Sequence, residues 1–400
     1  MDLLAARLER IKHSPSLTAL WRAKALAASG ADVCNLTAGE PEFPTPRHIV
    51  DAAYSAALAG DTKYTAVDGT AELKRAICEK FRRENDLQYT PEQISVGAGA
   101  KQVIYNAMAC TLERGDEVLI PAPYWVSYPD MVRLNGGTPV FVEPAPGHGF
   151  KIVPQQLRDA ITPRTKWLLL NSPNNPSGAV YAADELRALG EVLMDAPHVH
   201  VITDEVYEYL VYEPHAFTSF AQANPELIHR TVSVNSASKA FAMTGWRLGY
   251  AGGPAALVKA MEKVQSQTTG NPASVSQAAA VAALKGPRSF FDTWLSEYRQ
   301  RRDLIVSMLD SCHGLRCPSP EGAFFVYVSC HGLMGKQTPQ GRRIDTDTDL
   351  VEHLLEDHLV ATVQGSAYGV SPAFRVSFAA SQAVIETACD RIAHACASLA

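Results

Sequence analysis

No Cys-x-x-Cys pair occurs in the 400-residue chain, and its eight cysteines are too sparse and too irregularly spaced for a disulfide framework. They are expected to be reduced thiols. The one grouping that invites a zinc reading, Cys312-His313, Cys317 and Cys330-His331, lacks paired ligand spacing, and residues 324–328 before Cys330 read as an ordinary strand. Basic runs are missing too, and the formal net charge is −6, which argues against nucleic acid or an anionic membrane as partner. The start, Met1-Asp2-Leu3-Leu4-Ala5-Ala6-Arg7, carries an early acid and no sustained apolar core, so it matches neither a signal peptide nor a membrane anchor. A soluble, cytoplasmic protein is expected. Low-complexity inserts and internal repeats are absent, and a chain of this length can bury a substantial core as two domains or one large α/β unit.

What is present is an alternation of short apolar runs with helical patterns of period near 3.6. Strands are expected at 117–120, 139–142, 167–170, 199–204 and 231–234, and a helix over 70–85. This predicts an α/β fold with a mainly parallel sheet flanked by helices. After about residue 285 the pattern changes to a long helix over 288–309, short strands and a closing helix from about 381, which reads as a second, smaller α+β domain.

Chemistry gathers where the strands end. Ser236-Ala237-Ser238-Lys239 places two hydroxyls beside an amine, and Arg247 follows in Met-Thr-Gly-Trp-Arg-Leu-Gly-Tyr. A Ser-x-Ser-Lys tetrapeptide is common, and a surface lysine is its ordinary explanation. Three further segments change that. Residues 171–178, Asn-Ser-Pro-Asn-Asn-Pro-Ser-Gly, form a turn-rich loop whose amides can bond a phenolic oxygen. Asp204 ends a buried strand with Tyr207 three residues on, and a buried carboxylate would keep a pyridine nitrogen protonated. Residues 94–102 read as a strand, a glycine-rich turn and a helix start, where free N–H groups can cradle an anion. An amine, a carboxylate, a phenol and a phosphate cradle together suit a phosphorylated aldehyde, pyridoxal 5'-phosphate.

In order and spacing these segments, with Thr37-Ala38-Gly39-Glu40-Pro41, Thr62-Lys63-Tyr64-Thr65, the stretch 121–128, Gly322-Ala323-Phe324-Phe325 and Phe374-Arg375-Val376-Ser377-Phe378, resemble the class I aminotransferases. The likeness runs from about residue 11 to 392 and is greatest to a bacterial branch that includes aspartate and aspartate/prephenate aminotransferases. It implies the pyridoxal-phosphate-dependent transferase fold type I, with residues 46–285 as the large cofactor-binding domain and 1–45 together with 286–400 as the small one. It also implies a homodimer with shared active sites.

Residue roles follow from the chemistry, with the resemblance supplying the register. Lys239 should hold the cofactor as an imine and then move a proton between the substrate Cα and the cofactor. Asp204 should pair with the pyridine nitrogen, and Asn175 and Tyr207 should bond the ring oxygen. Ser236, Ser238, Arg247 and the backbone of Gly99, Ala100 and Lys101 should hold the phosphate, with Tyr64 reaching the phosphate of the neighbouring subunit. Trp125 should stack on the ring. Arg375 should clamp the substrate α-carboxylate, with Gly39 offering backbone.

Lys101 resembles the cation that receives the distal carboxylate of aspartate or glutamate, and Lys12 resembles a lysine linked with prephenate use. Here His13-Ser14-Pro15-Ser16-Leu17 departs from the branch's usual segment, so prephenate stays open. The expected reaction is ping-pong transfer of an amino group between L-aspartate or glutamate and 2-oxoglutarate or oxaloacetate. Alternatives are prephenate or an aromatic oxo acid as acceptor, a β-lyase on the same fold, or a regulator without turnover. The complete catalytic set and the absence of a DNA-binding module disfavour the last.

Overall fold

Seven strands line up in the order Ile94–Gly97, Gly249–Gly252, Thr231–Ser236, His200–Asp204, Thr165–Asn171, Glu117–Pro121 and Thr138–Val142. All neighbouring pairs are parallel except those made by Gly249–Gly252, which runs antiparallel to both of its neighbours. The structure, a computed structural model, describes residues 3–400, so Met1 and Asp2 of the N-terminal reading lie outside the described residues. The central strands are apolar runs because both faces are covered: Leu168, Leu170 and Val201 face one core, and Trp167, Leu169 and Ile202 another. The expected mainly parallel sheet is therefore present, with strand ends within two residues of the predicted ones.

Because the strands at 165–171, 200–204 and 231–236 are parallel, Asn171, Asp204 and Ser236 emerge at one edge of the sheet. That is where open α/β sheets bind ligands. Past the large sheet, an antiparallel trio (Val363–Gln364, Ala373–Ser377 and Phe325–Ser329) packs with the 21-residue helix Phe290–Asp310 and the closing helix Gln382–Ser398 around a third core. A two-stranded parallel pair joins Cys34–Asn35 to Val360–Ala361, which ties the N-terminal segment to the C-terminal part of the chain. Six cysteines (34, 312, 317, 330, 389 and 396) are buried in that third core, where burial pushes their thiols up. Among the described residues no three His, Cys, Asp or Glu side chains are gathered to hold a metal ion, and no helix is long and apolar enough to cross a membrane.

The helix Ala71–Asn85 shows how local rules and burial combine. Thr70 caps it by accepting from the Leu73 N–H at 3.3 Å, and Asp86, at φ 53°, ends it. Leu73, Ala76, Ile77 and Phe81 recur at helical spacing and are buried. Lys80 shares that face and is fully buried, which a charged residue tolerates only when paired. It forms an ion pair with Glu208, donates to Asn85 Oδ1 at 2.7 Å and lies 3.8 Å from Glu84; Asn85 in turn donates to the second Glu208 oxygen. Glu208 is on the segment that carries Asp204 and Tyr207, so this charge cluster fixes the stretch from beneath. Lys80→Ala is expected to destabilise the protein by about 3–5 kcal/mol, the usual cost of stranding a buried charge. The midpoint of urea unfolding against wild type measures it.

Candidate active site

The strand ends open into a cavity of about 370 Å³. Its lining includes Gly39, Ala100, Lys101, Trp125, Asn175, Asp204, Tyr207, Ser236, Ser238, Lys239, Arg247 and Arg375, twelve residues drawn from segments spread between positions 39 and 375.

The anion cradle comes from two turns pressed together. Gly99 has φ 96°, and a Cβ there would lie 2.4 Å from Arg247 Nη2; a Cβ on Gly249 would lie 2.1 Å from the Ala100 nitrogen. Only hydrogens at these two positions let the helix start at Ala100 sit against the strand start at Gly249. Arg247 is fixed by donating from Nη2 to the Ala98 carbonyl at 3.1 Å and from Nη1 to the Thr244 carbonyl at 2.9 Å. The hydroxyls of Ser236 and Ser238 lie 2.8 Å apart. A guanidinium, two hydroxyls and the N-terminus of the helix Ala100–Ala109 thus converge.

Lys239 donates from Nζ to the Gly39 carbonyl, and its ammonium is disfavoured. Burial lowers its pKa to about 8, with Arg247 and Arg375 pushing the same way and Glu40 and Asp204 opposing. Asp204 is fully enclosed, and burial raises its carboxyl to about 6 against the hydrogen bonds it accepts from Tyr128 and the Val206 N–H. Burial likewise raises the Tyr207 phenol, with Arg375 opposing. Arg375 is 2 % exposed and lies between the Phe325 and Tyr368 rings, at 4.4 and 5.2 Å from their centroids. It donates to Asn175 Oδ1 at 3.0 Å and to the Thr37 carbonyl at 2.7 Å, while its Nε has no partner. No acidic side chain among the described residues pairs with this guanidinium. A buried, always-charged fork with an idle donor is suited to an incoming carboxylate.

Lys101 lines the cavity, with its Nζ 4.7 Å from the Trp125 ring centroid; partial desolvation of the amine beside that ring and then Arg247 lower its pKa. Three expected residues, Gly99, Lys12 and Tyr64, are not in the lining of this cavity. Lys12 is exposed and lies just before the helix Pro15–Ala28, so that Ser14, Ser16 and Leu17 reach the lining where Lys12 does not. Tyr64 is 99 % exposed and takes no part in the cavity formed by one chain. Glu40, Thr244 and Tyr128 line it although the sequence reading gave them no role. Glu40 accepts from the Thr244 hydroxyl at 2.7 Å, and both lie in motifs already singled out, which was the signal available.

Fold and site together define an aminotransferase: residues 31–392 match the family described as aminotransferase class I and II, and the chain belongs to it. At the level of whole chains it is 53 % identical over 399 residues to the aspartate/prephenate aminotransferase of Cereibacter sphaeroides, with all of both chains covered. Its fold is similar to that of the aspartate aminotransferase of Rhizobium meliloti, at TM-score 0.97 and 51 % identity with both chains fully covered. The Thermus thermophilus aspartate aminotransferase with maleate follows at TM-score 0.92 and 40 % identity, covering 99 % of this chain and 100 % of that one. The family implies pyridoxal phosphate.

The cradle geometry is testable by itself. Gly99→Ala should displace Arg247 and weaken the apo-protein's affinity for pyridoxal 5'-phosphate by roughly tenfold or more, the cost of one charge-assisted contact. Fluorescence titration measures it.

Proposed function

We propose that this chain is a pyridoxal-phosphate-dependent aminotransferase that moves the amino group between L-aspartate or glutamate and 2-oxoglutarate or oxaloacetate. The observation that carries the reading is the convergence of Lys239, Asp204 and Arg375 in one cavity beside an anion cradle. The residues fit the cofactor: Gly99, Ala100, Ser236, Ser238 and Arg247 would hold its phosphate, Asp204 its ring nitrogen, Asn175 and Tyr207 its ring oxygen, Trp125 its face and Lys239 its aldehyde carbon. When bound, the cofactor supplies an electron sink for charge developing at the substrate Cα.

The chain's own residues supply the rest. Arg375 takes the α-carboxylate through its fork and so orients the substrate. Asp204 presents a fixed negative charge that holds a proton on the ring nitrogen. Lys239, with its amine half-neutral near pH 8, accepts the Cα proton and returns it to the cofactor side. Trp125 excludes water from one face. Lys101, a cation at the cavity with no acidic partner among the described residues, receives the second carboxylate of a dicarboxylic substrate. Residues 46–285 would form the domain that grips the cofactor, with 1–45 and 286–400 as the one bearing Gly39 and Arg375. Tyr64, together with the exposed Tyr54 and Leu58, would lie against a second copy of the chain in a homodimer that shares its sites.

Prephenate is the second acceptor to test, because the Cereibacter sphaeroides relative carries it in its name and Leu17 and Leu20 give the cavity an apolar lip. An acceptor panel of oxaloacetate, prephenate, phenylpyruvate and pyruvate with glutamate as donor decides this.

Lys239→Ala should abolish turnover yet leave pyridoxal 5'-phosphate binding measurable, since the cradle and ring contacts remain. In wild-type apo-protein the rate of cofactor attachment should rise with pH through about 8, as Lys239 loses its proton. Near-normal turnover by Lys239→Ala would refute the mechanism.

Lys101→Ala should lower kcat/KM for aspartate and glutamate roughly 10- to 100-fold, the cost of one charge-assisted contact. Alanine and phenylalanine should be affected far less. Equal losses on both substrate types would mean that Lys101 serves the phosphate turn instead.

A further inference from the structure

Tyr128 is fully buried beside the floor of the cavity, on the first turn of the short helix Tyr128–Leu134, and nothing so far gives it a task. Its hydroxyl donates to Asp204 Oδ2 at 2.7 Å. Among the described residues, the other Asp204 oxygen receives only the Val206 N–H, at 3.3 Å. The same phenol ring meets Trp125 edge-on, with centroids 5.4 Å apart and planes at 81°. One side chain therefore touches both the carboxylate assigned to the ring nitrogen and the indole assigned to the ring face.

From this geometry we propose that Tyr128 is a positioning residue that fixes Asp204 and Trp125 together, so that carboxylate and indole meet the pyridine ring at one set angle. The proposal rests on the reading of Asp204 as the ring partner. Its physical basis is donor supply. An ionised carboxylate with no water around it is stable only if donors reach it. Burial and the neighbouring Asp204 charge raise the Tyr128 phenol well above its ordinary value, so it keeps its proton and can act only as a donor toward Asp204. The other titratable groups around Asp204 are few: Lys239 favours its charge, and the Tyr207 phenol, itself raised by Asp204, adds slightly to the rise at Tyr128. Without the hydroxyl, Oδ2 would lose its short hydrogen bond and the carboxylate could turn away from the ring. The Phe that remains would still support Trp125, so Tyr128→Phe isolates the hydroxyl.

The experiment titrates pyridoxal 5'-phosphate into apo-protein for wild type, Tyr128→Phe, Asp204→Asn and the double variant, and follows the absorption band of each loaded protein against pH. Tyr128→Phe should weaken cofactor affinity by roughly tenfold, the effect of losing a hydrogen bond to a charged group. It should also move the acid limb of the band's titration to higher pH, because Asp204 would protonate earlier. In the Asp204→Asn background the same substitution should change affinity by no more than about twofold, the limit of additivity for uncoupled sites. An unchanged affinity and band in Tyr128→Phe, with Asp204→Asn impaired, would overturn the proposal while leaving the site reading intact. Equal losses in both backgrounds would also overturn it, by showing that the hydroxyl acts on packing alone. An Asp204→Asn protein with wild-type affinity and band would remove the site reading and the proposal with it. Were Tyr128→Phe not to fold, Tyr128→His, which keeps a donor, is titrated the same way. Affinity closer to wild type than to Asp204→Asn supports the proposal, and affinity as low as Asp204→Asn overturns it.

Discussion

The arrangement depends on an unbalanced set of charges held in one cavity. Lys101, Lys239, Arg247 and Arg375 line it, against the carboxylates of Asp204 and Glu40. Burial, reinforced by repulsion between like charges, disfavours the charged form of the two groups here that can give up a proton, Lys239 and Lys101. Lys239 falls to about 8, whereas the guanidiniums stay charged. A base is thereby produced at the centre of the site by burial and by its neighbours. The remaining positive excess is a demand for anions, which a phosphorylated cofactor and a dicarboxylic substrate would meet. Arg375 makes the same point locally: it is buried, stacked between two rings and held by a carbonyl and an amide oxygen, with Nε still idle.

Such a charge set must be held rigidly, and the fold does this from outside the cavity. The segment following Asp204 is anchored on both sides of its register. Asp204 and Tyr207 line the cavity. Glu205 accepts from Thr203, Ser219 and the Phe220 N–H, and Glu208 pairs with the buried Lys80. Burial raises the Glu205 carboxyl to about 7, so part of this support is itself sensitive to protonation near neutral pH. Arg301 plays a comparable part for the N-terminal segment, binding Glu42 and Glu297 and lying 5.4 Å from the Phe43 ring centroid, two residues beyond Pro41. Glu40, in the same segment, reaches Thr244, and Gly39 reaches Lys239. The N-terminal segment thus contacts the lysine directly, and a substrate that displaces the Lys239–Gly39 bond would alter how the segment is held.

How much of this the sequence revealed follows from where each residue sits. Asp204, Tyr207, Asn175 and the Ser236-to-Lys239 run were legible because they occur at the ends of buried strands, where an apolar run stops at a polar group and a turn begins. Arg375 lies within a strand instead, and only the family register singled it out. Lys80 could not have been found in this way: on the helical pattern of 71–85 a lysine reads as solvated, and its burial depends on Glu208, 128 residues later in the numbering. Tyr128 was part of a recognised stretch yet carried no role, because its partner is 76 residues away and nothing local implies the bond. Lys12 and Tyr64 come from the resemblance alone: one chain leaves both exposed and outside its cavity, and the role expected of Tyr64 needs a neighbouring subunit.

The same reasoning separates what the fold fixes from what the site leaves adjustable. Glycines 99 and 249 cannot change without driving a Cβ into Arg247 or the Ala100 backbone, so the phosphate cradle is set by steric exclusion. The mouth is not under that constraint. Ser14, Ser16, Leu17 and Leu20 come from the start of the helix Pro15–Ala28, most of whose side chains are exposed or only half-buried and whose one fully buried residue is Ala23. The Ser16 hydroxyl lies 3.1 Å from that of Tyr368, whose ring stacks on Arg375. Substitutions in residues 13–17 can change which side chains the mouth admits while leaving the steric fit at Gly99 and Gly249 and the Tyr128–Asp204 hydrogen bond in place, because neither involves this helix.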